Sequence, residues 1–172
     1  MARKTASAEY RVEPLSSNHD RAGFCCGVPE LDAYLLRQAG QDQKRKLAAV
    51  FVLTADGHSV VGFYTLSAHS IQTAELPGDL AGKLPRFPLP VTLLGRMAVD
   101  RSLQGQGWGE FLLLHALERT LQASRQVATW AVVVDAKAGA RDFYLKHGFL
   151  PLPTNPDRLF LPMKTIEKIF DL

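Results

Sequence analysis

The chain has 172 residues, 47% apolar and 22% charged, a size and balance that suit one globular domain with its own core and exclude a disordered or collagenous chain. Its formal charge of +3, with a pI near 9.0, is a mild excess that suits a polyanionic partner without requiring one. No apolar run nears the ~20 residues of a membrane span, and the opening MARKTASAEYRVEP lacks the apolar centre of a signal peptide, so a cytoplasmic protein without membrane association is expected.

Taken in chain order, residues 1–8 read as a loose tail and YRVEPL as a short strand ending at Pro14. The adjacent Cys25 and Cys26 are expected to stay reduced, and with no further Cys or His at ligand spacing no metal is expected. GVPELDAYLLRQAGQDQKRK predicts one amphipathic helix: Pro29 suits its first turn, and Leu31, Tyr34, Leu35 and Gln38 share a face. LAAVFVLTADGHSVVGFYTLSAHS predicts two strands joined at Asp56-Gly57.

From Ile71 to Pro90 four prolines and two glycines predict a long loop with at most one short helical piece, the kind of loop that often borders a site. VTLLGRMAVD then reads as a strand, GWGEFLLLHALERTLQAS as a helix and QVATWAVVVDA as a largely buried strand. AGARDFYLKHG predicts a helix closed by Gly148, and RLFLPMKTI a last strand. The order is mixed α/β, in a single domain over 1–172 with no internal repeat.

The most informative stretch is SLQGQGWGEF, which sets three glycines at the mouth of a helix. Glycine there lets backbone N–H groups turn toward an anion at the positive end of the helix dipole. A plain glycine-rich connection between strand and helix would look the same, and the residues alone leave both open. No Gly-Lys-Ser/Thr follows, and Gly105, Gly107 and Gly109 are not spaced as in a dinucleotide fingerprint.

The run Gln104 to Gly109, lying between a strand and a helix and followed by a buried strand and FYLKHGF, resembles the acetyl-coenzyme A motif of the GNAT acetyltransferases, with Gln104, Gly107 and Gly109 at its positions. Over nearly the whole chain, GFCCGVPELDAYLLRQAGQDQKRKLAAVFVL, LLGRMAVDRSLQGQGWGEFLLLHAL and ARDFYLKHGFLPLPTNPDRLFLPMKTI resemble the acetyltransferase toxins of bacterial toxin–antitoxin modules, of the TacT and AtaT type. That resemblance implies a GNAT fold, a mixed central sheet flanked by helices with one strand pair splayed for acetyl-CoA. It implies transfer of acetyl to the α-amino group of aminoacyl-tRNA, a block of translation, a ribbon-helix-helix antitoxin and a homodimer. A GNAT enzyme of small amines or protein N-termini would share the cofactor site, and a non-catalytic acyl-CoA or RNA-binding module is the third possibility.

By the same resemblance, the coenzyme A pyrophosphate would lie over Gln104, Gly105, Gln106, Gly107, Trp108 and Gly109. Met97, Ala98 and Val99 would orient the thioester through their backbone N–H groups, and Phe143 would flank the cofactor. Tyr144 occupies the position that hydrogen-bonds the coenzyme A sulfur. A phenol near ~10 is a weaker acid than a thiol near ~8.5, so full proton donation is uphill by roughly 2 kcal/mol and Tyr144 suits a hydrogen-bond donor or relay. The acceptor needs no strong base, because an aminoacyl ester lowers its α-amino pKa below the ~7.7 to 8.0 of a peptide terminus.

Trp108 fits either leaning on the cofactor or packing under it. Arg96 faces away from Met97 on its strand and fits contact with acceptor phosphate or a structural ion pair. Lys44, Arg45 and Lys46, and likewise Lys83 and Arg86 in the proline-rich loop, fit tRNA backbone contacts or simple solvation. His115, His147, Asp135 and Asp142 read as structural or surface groups.

Overall fold

The computed structural model describes residues 9–136 and 139–171, so the tail expected over 1–8 lies outside the described residues. A seven-stranded mixed sheet has the order β1-β2-β3-β4-β5-β7-β6. Its strands are β1 (Arg11–Pro14), β2 (Ala49–Thr54), β3 (Gly62–Ile71), β4 (Leu89–Val99), β5 (Ala131–Asp135), β6 (Leu150–Leu152) and β7 (Asn155–Pro162). β4 and β5 are parallel, whereas β1–β2, β2–β3, β5–β7 and β6–β7 are antiparallel. The helices are α1 (Pro29–Arg37), α2 (Ala39–Lys44), α3 (Gly78–Ala81), α4 (Trp108–Ala123), α5 (Arg141–Lys146) and α6 (Met163–Phe170). The chain divides into two compact units, one of the residues up to Ser67 with Arg96–His115, the other of Ala68–Gly95 with the residues from Ala116 on.

In the first unit, Leu15, Phe24, Tyr34, Leu35, Val50, Val52 and Phe63 form one buried cluster, with Leu31 and Ala98 packed against it. The single helix expected after Pro29 is split at Gln38, whose φ of −120° leaves helical geometry. Next to the break Arg21 donates to the Leu35 carbonyl at 3.0 Å, an acceptor an unbroken helix would keep for its own backbone. Tyr34 and Leu35 are buried as the periodicity requires, but Gln38 is exposed. α2 ends with Lys46 in the left-handed region, φ 63°. The β2–β3 turn is built on Asp56, which accepts from the backbone N–H groups of His58 and Ser59 at 2.8 Å each, with Gly57 at φ 79°. Those donors hold the Asp56 pKa down to about 2.

The second unit has its own cluster of Ile71, Leu76, Leu89, Val91, Ala131, Val133, Leu152 and Phe160. The long loop before β4 carries a 3-10 turn at Thr73–Glu75 and the single turn α3, and the Thr73 hydroxyl ties it together by donating to the carbonyls of Pro85 and Phe87. Paired register between β4 and β5 runs from Val91↔Ala131 to Leu94↔Val134, and β4 itself runs on to Val99. The last strand expected over RLFLPMKTI stops at Pro162, and Met163–Phe170 is helical instead. Pro162 has no N–H to continue a ladder, and burying Met163 and Ile166, three apart, suits a helix rather than a strand. The short edge strand β6 was not expected from the sequence.

Candidate active site

The glycine loop belongs to the first unit and is held from behind. Asp100 accepts from the N–H of Cys25 at 2.9 Å and of Ser102 at 3.1 Å, and the Arg101 N–H donates to the Cys25 carbonyl at 2.8 Å. Burial alone would raise the Asp100 pKa, but these donors hold it below its usual value. Gln104 is a bolt: its Nε2 donates to the Cys26 carbonyl at 2.7 Å and to the Val99 carbonyl at 2.9 Å. Its side chain therefore fixes the loop rather than reaching for a ligand.

Gly105 and Gly107 have φ of 77° and 90°, where a side chain is strained, and nothing lies within 4 Å of the position a Cβ would take at either. The loop thus presents exposed backbone at the first turn of α4, where N–H groups have no intrahelical acceptors. Such a backbone fits the pyrophosphate of coenzyme A. Gln106 reaches back to the Ser102 carbonyl at 3.2 Å, and Gly109 is half-buried. Trp108 is only 5% exposed, and its ring packs on Tyr10 at 4.6 Å and Phe111 at 5.2 Å.

Met97, Ala98 and Val99 are half-buried at the end of β4. The Arg96 guanidinium lies over the Tyr34 ring, 3.8 Å from the centroid, a cation–π stack where the sequence left a structural ion pair or acceptor contact open. Burial, and then Asp42 accepting from the hydroxyl at 2.9 Å, push the Tyr34 pKa up to about 12.

Tyr144 belongs to the second unit, on α5, where it is 8% exposed. Its ring meets Phe143 at 5.1 Å and Phe149 at 5.4 Å, both edge to face. Among the described residues its hydroxyl makes no hydrogen bond, and no fully buried side-chain oxygen or nitrogen lacks a partner. The hydroxyl is therefore the point at which a buried ring reaches the surface, ready to donate to a ligand. Desolvation pushes its pKa up to about 12, so it keeps its proton at neutral pH.

Lys44, Arg45, Lys46, Lys83 and Arg86 are all exposed. Arg86 lines a cavity of about 470 Å³ with Gln72, Thr73, Ala81 and Leu84. His147 donates from Nδ1 to the Phe143 carbonyl at 2.8 Å, and His115 Nδ1 meets the Tyr64 hydroxyl at 2.9 Å, in keeping with structural roles. Among the described residues no group of His, Cys, Asp and Glu could hold a metal. Asp135 is not the plain strand-end carboxylate it seemed, since Arg158 grips it with two hydrogen bonds. No spacing in the sequence links residues 23 positions apart; only the β5–β7 register does.

A glycine-rich loop before a helix, followed by a strand and a helix bearing a protonated tyrosine, is the chain order of an acyl-CoA-dependent acyltransferase. Residues 46–151 match the acetyltransferase (GNAT) domain, and the chain belongs to the GNAT acetyltransferase family. It is 34% identical to the probable toxin TacT of Sinorhizobium fredii (strain NBRC 101917 / NGR234), over 96% of this chain and 97% of that protein. It is 40% identical to the tRNA-acetylating toxin of Mycobacterium tuberculosis (strain ATCC 25618 / H37Rv), over 87% of this chain and 90% of that one. Its structure resembles AtaT complexed with acetyl-methionyl-tRNAfMet, with TM-score 0.88 and 34% identity over 94% of this chain and 99% of that one. A tyrosine-to-phenylalanine mutant of AtaT bound to the C-terminus of the antitoxin AtaR and acetyl-CoA gives a TM-score of 0.83, with 30% identity over 95% and 99% of the two chains.

Proposed function

We propose that this protein is a toxin of a toxin–antitoxin module that moves the acetyl group of acetyl-CoA to the α-amino group of aminoacyl-tRNA and so blocks translation. It works in the cytoplasm as a single acetyltransferase domain and homodimer, and is neutralised by a ribbon-helix-helix antitoxin. Relatives matched over nearly their whole length, one of them a tRNA-acetylating toxin, support the reading. The observation that carries it is Tyr144, a buried ring with an unbonded, firmly protonated hydroxyl.

In this reading the backbone of Gln104 to Gly109 holds the pyrophosphate, and the N–H groups of Met97 to Val99 orient the thioester carbonyl and steady the oxyanion that forms when the amine attacks. The neutral α-amine adds to that carbonyl, the C–S bond breaks, and the sulfur leaves as a thiolate hydrogen-bonded by Tyr144. With the phenol near 12 and a thiol near ~8.5, full proton transfer from Tyr144 would be uphill by about 5 kcal/mol. Tyr144 stabilises the thiolate by donating a hydrogen bond and stays neutral, while the ammonium proton of the adduct passes to solvent. Lys44, Arg45, Lys46, Lys83, Arg86 and the edge of Arg96 supply phosphate contacts to the acceptor.

The deciding experiment incubates the protein with acetyl-CoA and a pool of charged tRNAs and identifies aminoacyl adenosines by mass spectrometry, with Tyr144→Phe in parallel. Acetylated products in the wild-type sample, strongly reduced in the variant, establish the chemistry and name the amino acid. Transfer to small amines with none to charged tRNA would overturn the acceptor assignment.

A further inference from the structure

Asp135, Arg158 and His69 form a polar cluster in the second unit, the unit that carries Tyr144. Asp135 closes β5, one residue beyond the last β4–β5 pair, and faces Arg158 of β7 in antiparallel register. Directly opposed residues point to one face of a sheet, so both side chains rise from rigid strands rather than from a loop. Arg158 Nε donates to Asp135 Oδ1 at 2.7 Å and Nη2 to Oδ2 at 2.9 Å, a fork-to-fork pair that holds guanidinium and carboxylate in one plane. Arg158 Nη1 lies 3.1 Å from His69 Nε2. Arginine only donates, so Nε2 is the acceptor in this contact.

The Asp135 contacts use the edge of the guanidinium and leave its two faces out of the pair. The side chains of Arg158 and Asp135 are 22% and 53% exposed, and His69 is exposed as well. Exposed ion pairs contribute little to stability, so folding does not demand this arrangement. Asp135 cancels the arginine charge, which makes the cluster a poor phosphate site. A flat guanidinium held in place is instead a surface on which unpaired bases stack.

Resting on the acceptor assignment above, we propose that the Asp135–Arg158–His69 cluster is a stacking platform for an unpaired nucleobase at the 3′ end of the acceptor RNA. Arg158 and His69 supply the faces, and Asp135 is a positioning residue that keeps the guanidinium flat.

The test compares wild type with Arg158→Lys, which keeps the charge and loses the plane, and Arg158→Trp, which keeps a stacking face and loses the charge. Acetyl transfer is measured to charged tRNA and to an amino acid methyl ester, which has no base. Base stacking judged by side-chain removal predicts that Arg158→Lys raises KM for charged tRNA by about 5- to 100-fold, with kcat and methyl-ester turnover unchanged. Arg158→Trp is expected to recover most of that loss. Equal KM in wild type and Arg158→Lys, equal damage to the methyl ester, or a tryptophan variant no better than the lysine would overturn the platform.

Binding of the trinucleotide CCA carrying 2-aminopurine at its 3′ end gives a readout independent of turnover. Quenching by wild type and loss of quenching in Arg158→Lys support stacking, and no quenching by wild type refutes it. Wild type that quenches the probe yet acetylates no charged tRNA would fault the acceptor assignment and leave the base platform standing.

Discussion

Replacing Tyr144 by Phe removes one oxygen from a ring that is 8% exposed and wedged between Phe143 and Phe149. Among the described residues the hydroxyl has no partner, so its loss breaks no bond there and the melting temperature should stay within about 1 °C of wild type. Its cost falls in the transition state, where the sulfur becomes anionic. A hydrogen bond to a charged group contributes about 1.5 to 3 kcal/mol, which converts to about a 10- to 150-fold fall in kcat with little change in KM for acetyl-CoA. Because the phenol pKa is about 12, wild type and variant should share one pH profile from pH 6 to 10, set by the acceptor amine. Single-turnover assays that trap the released thiol across that range measure both quantities. A variant retaining more than half the wild-type rate would refute the donor role. So would a wild-type limb below pH 10 that vanishes in the variant, since it would make the phenol titrate where the structure keeps it neutral.

Gln104→Ala removes both donations to the Cys26 and Val99 carbonyls, so KM for acetyl-CoA in steady-state assays should rise by about 5- to 150-fold, as loss of about 1 to 3 kcal/mol implies, with kcat changed far less. Lys46→Gly relieves a left-handed lysine and should raise the melting temperature by about 2 to 4 °C, for about 1 kcal/mol of strain. If Lys46 also touches acceptor phosphate, the same variant should lower the slope of log affinity against log salt by about 1 in filter-binding titrations. At high pH the folded Tyr144 keeps its proton to about 12 while the unfolded phenol ionises near ~10. The unfolded state then binds fewer protons, so stability falls as pH rises through that window, and urea midpoints at pH 9 and 11 should drop less in Tyr144→Phe than in wild type.

Most of the architecture could be read from the sequence, because the period of the apolar residues and the turn residues agreed with each other. The buried run Ala131–Val134 and the turn at Asp56-Gly57 are cases where local pattern and tertiary packing point the same way. The misreadings occur where a tertiary contact decides. Arg21, 14 residues before Leu35, takes a carbonyl next to the point where the first helix divides, and no helical periodicity encodes that. LFLPMKTI is apolar enough for a strand, but Pro162 ends the ladder and the chain turns to helix to bury Ile166. The glycine loop between β4 and α4 was legible because glycine marks unusual backbone geometry directly, whereas the partners of Arg96 and Asp135 come from other elements and leave no mark in local spacing.

The loop also shows how side chain and backbone divide the work of one site. Gln104, Asp100 and Trp108 are the residues of the motif region with the most hydrogen-bonding or packing capacity, and each spends it inward, on Cys26 and Val99, on Cys25 and Ser102, or on Tyr10 and Phe111. The outward surface is left to Gly105 and Gly107, which have no side chain to set specificity. On the proposed function, a site built this way would hold the cofactor through backbone N–H groups, and acceptor choice would then arise elsewhere, on side chains free to face outward. The exposed basic residues at the end of α2 and in the loop before β4 would contribute charge, and the Asp135–Arg158–His69 cluster shape.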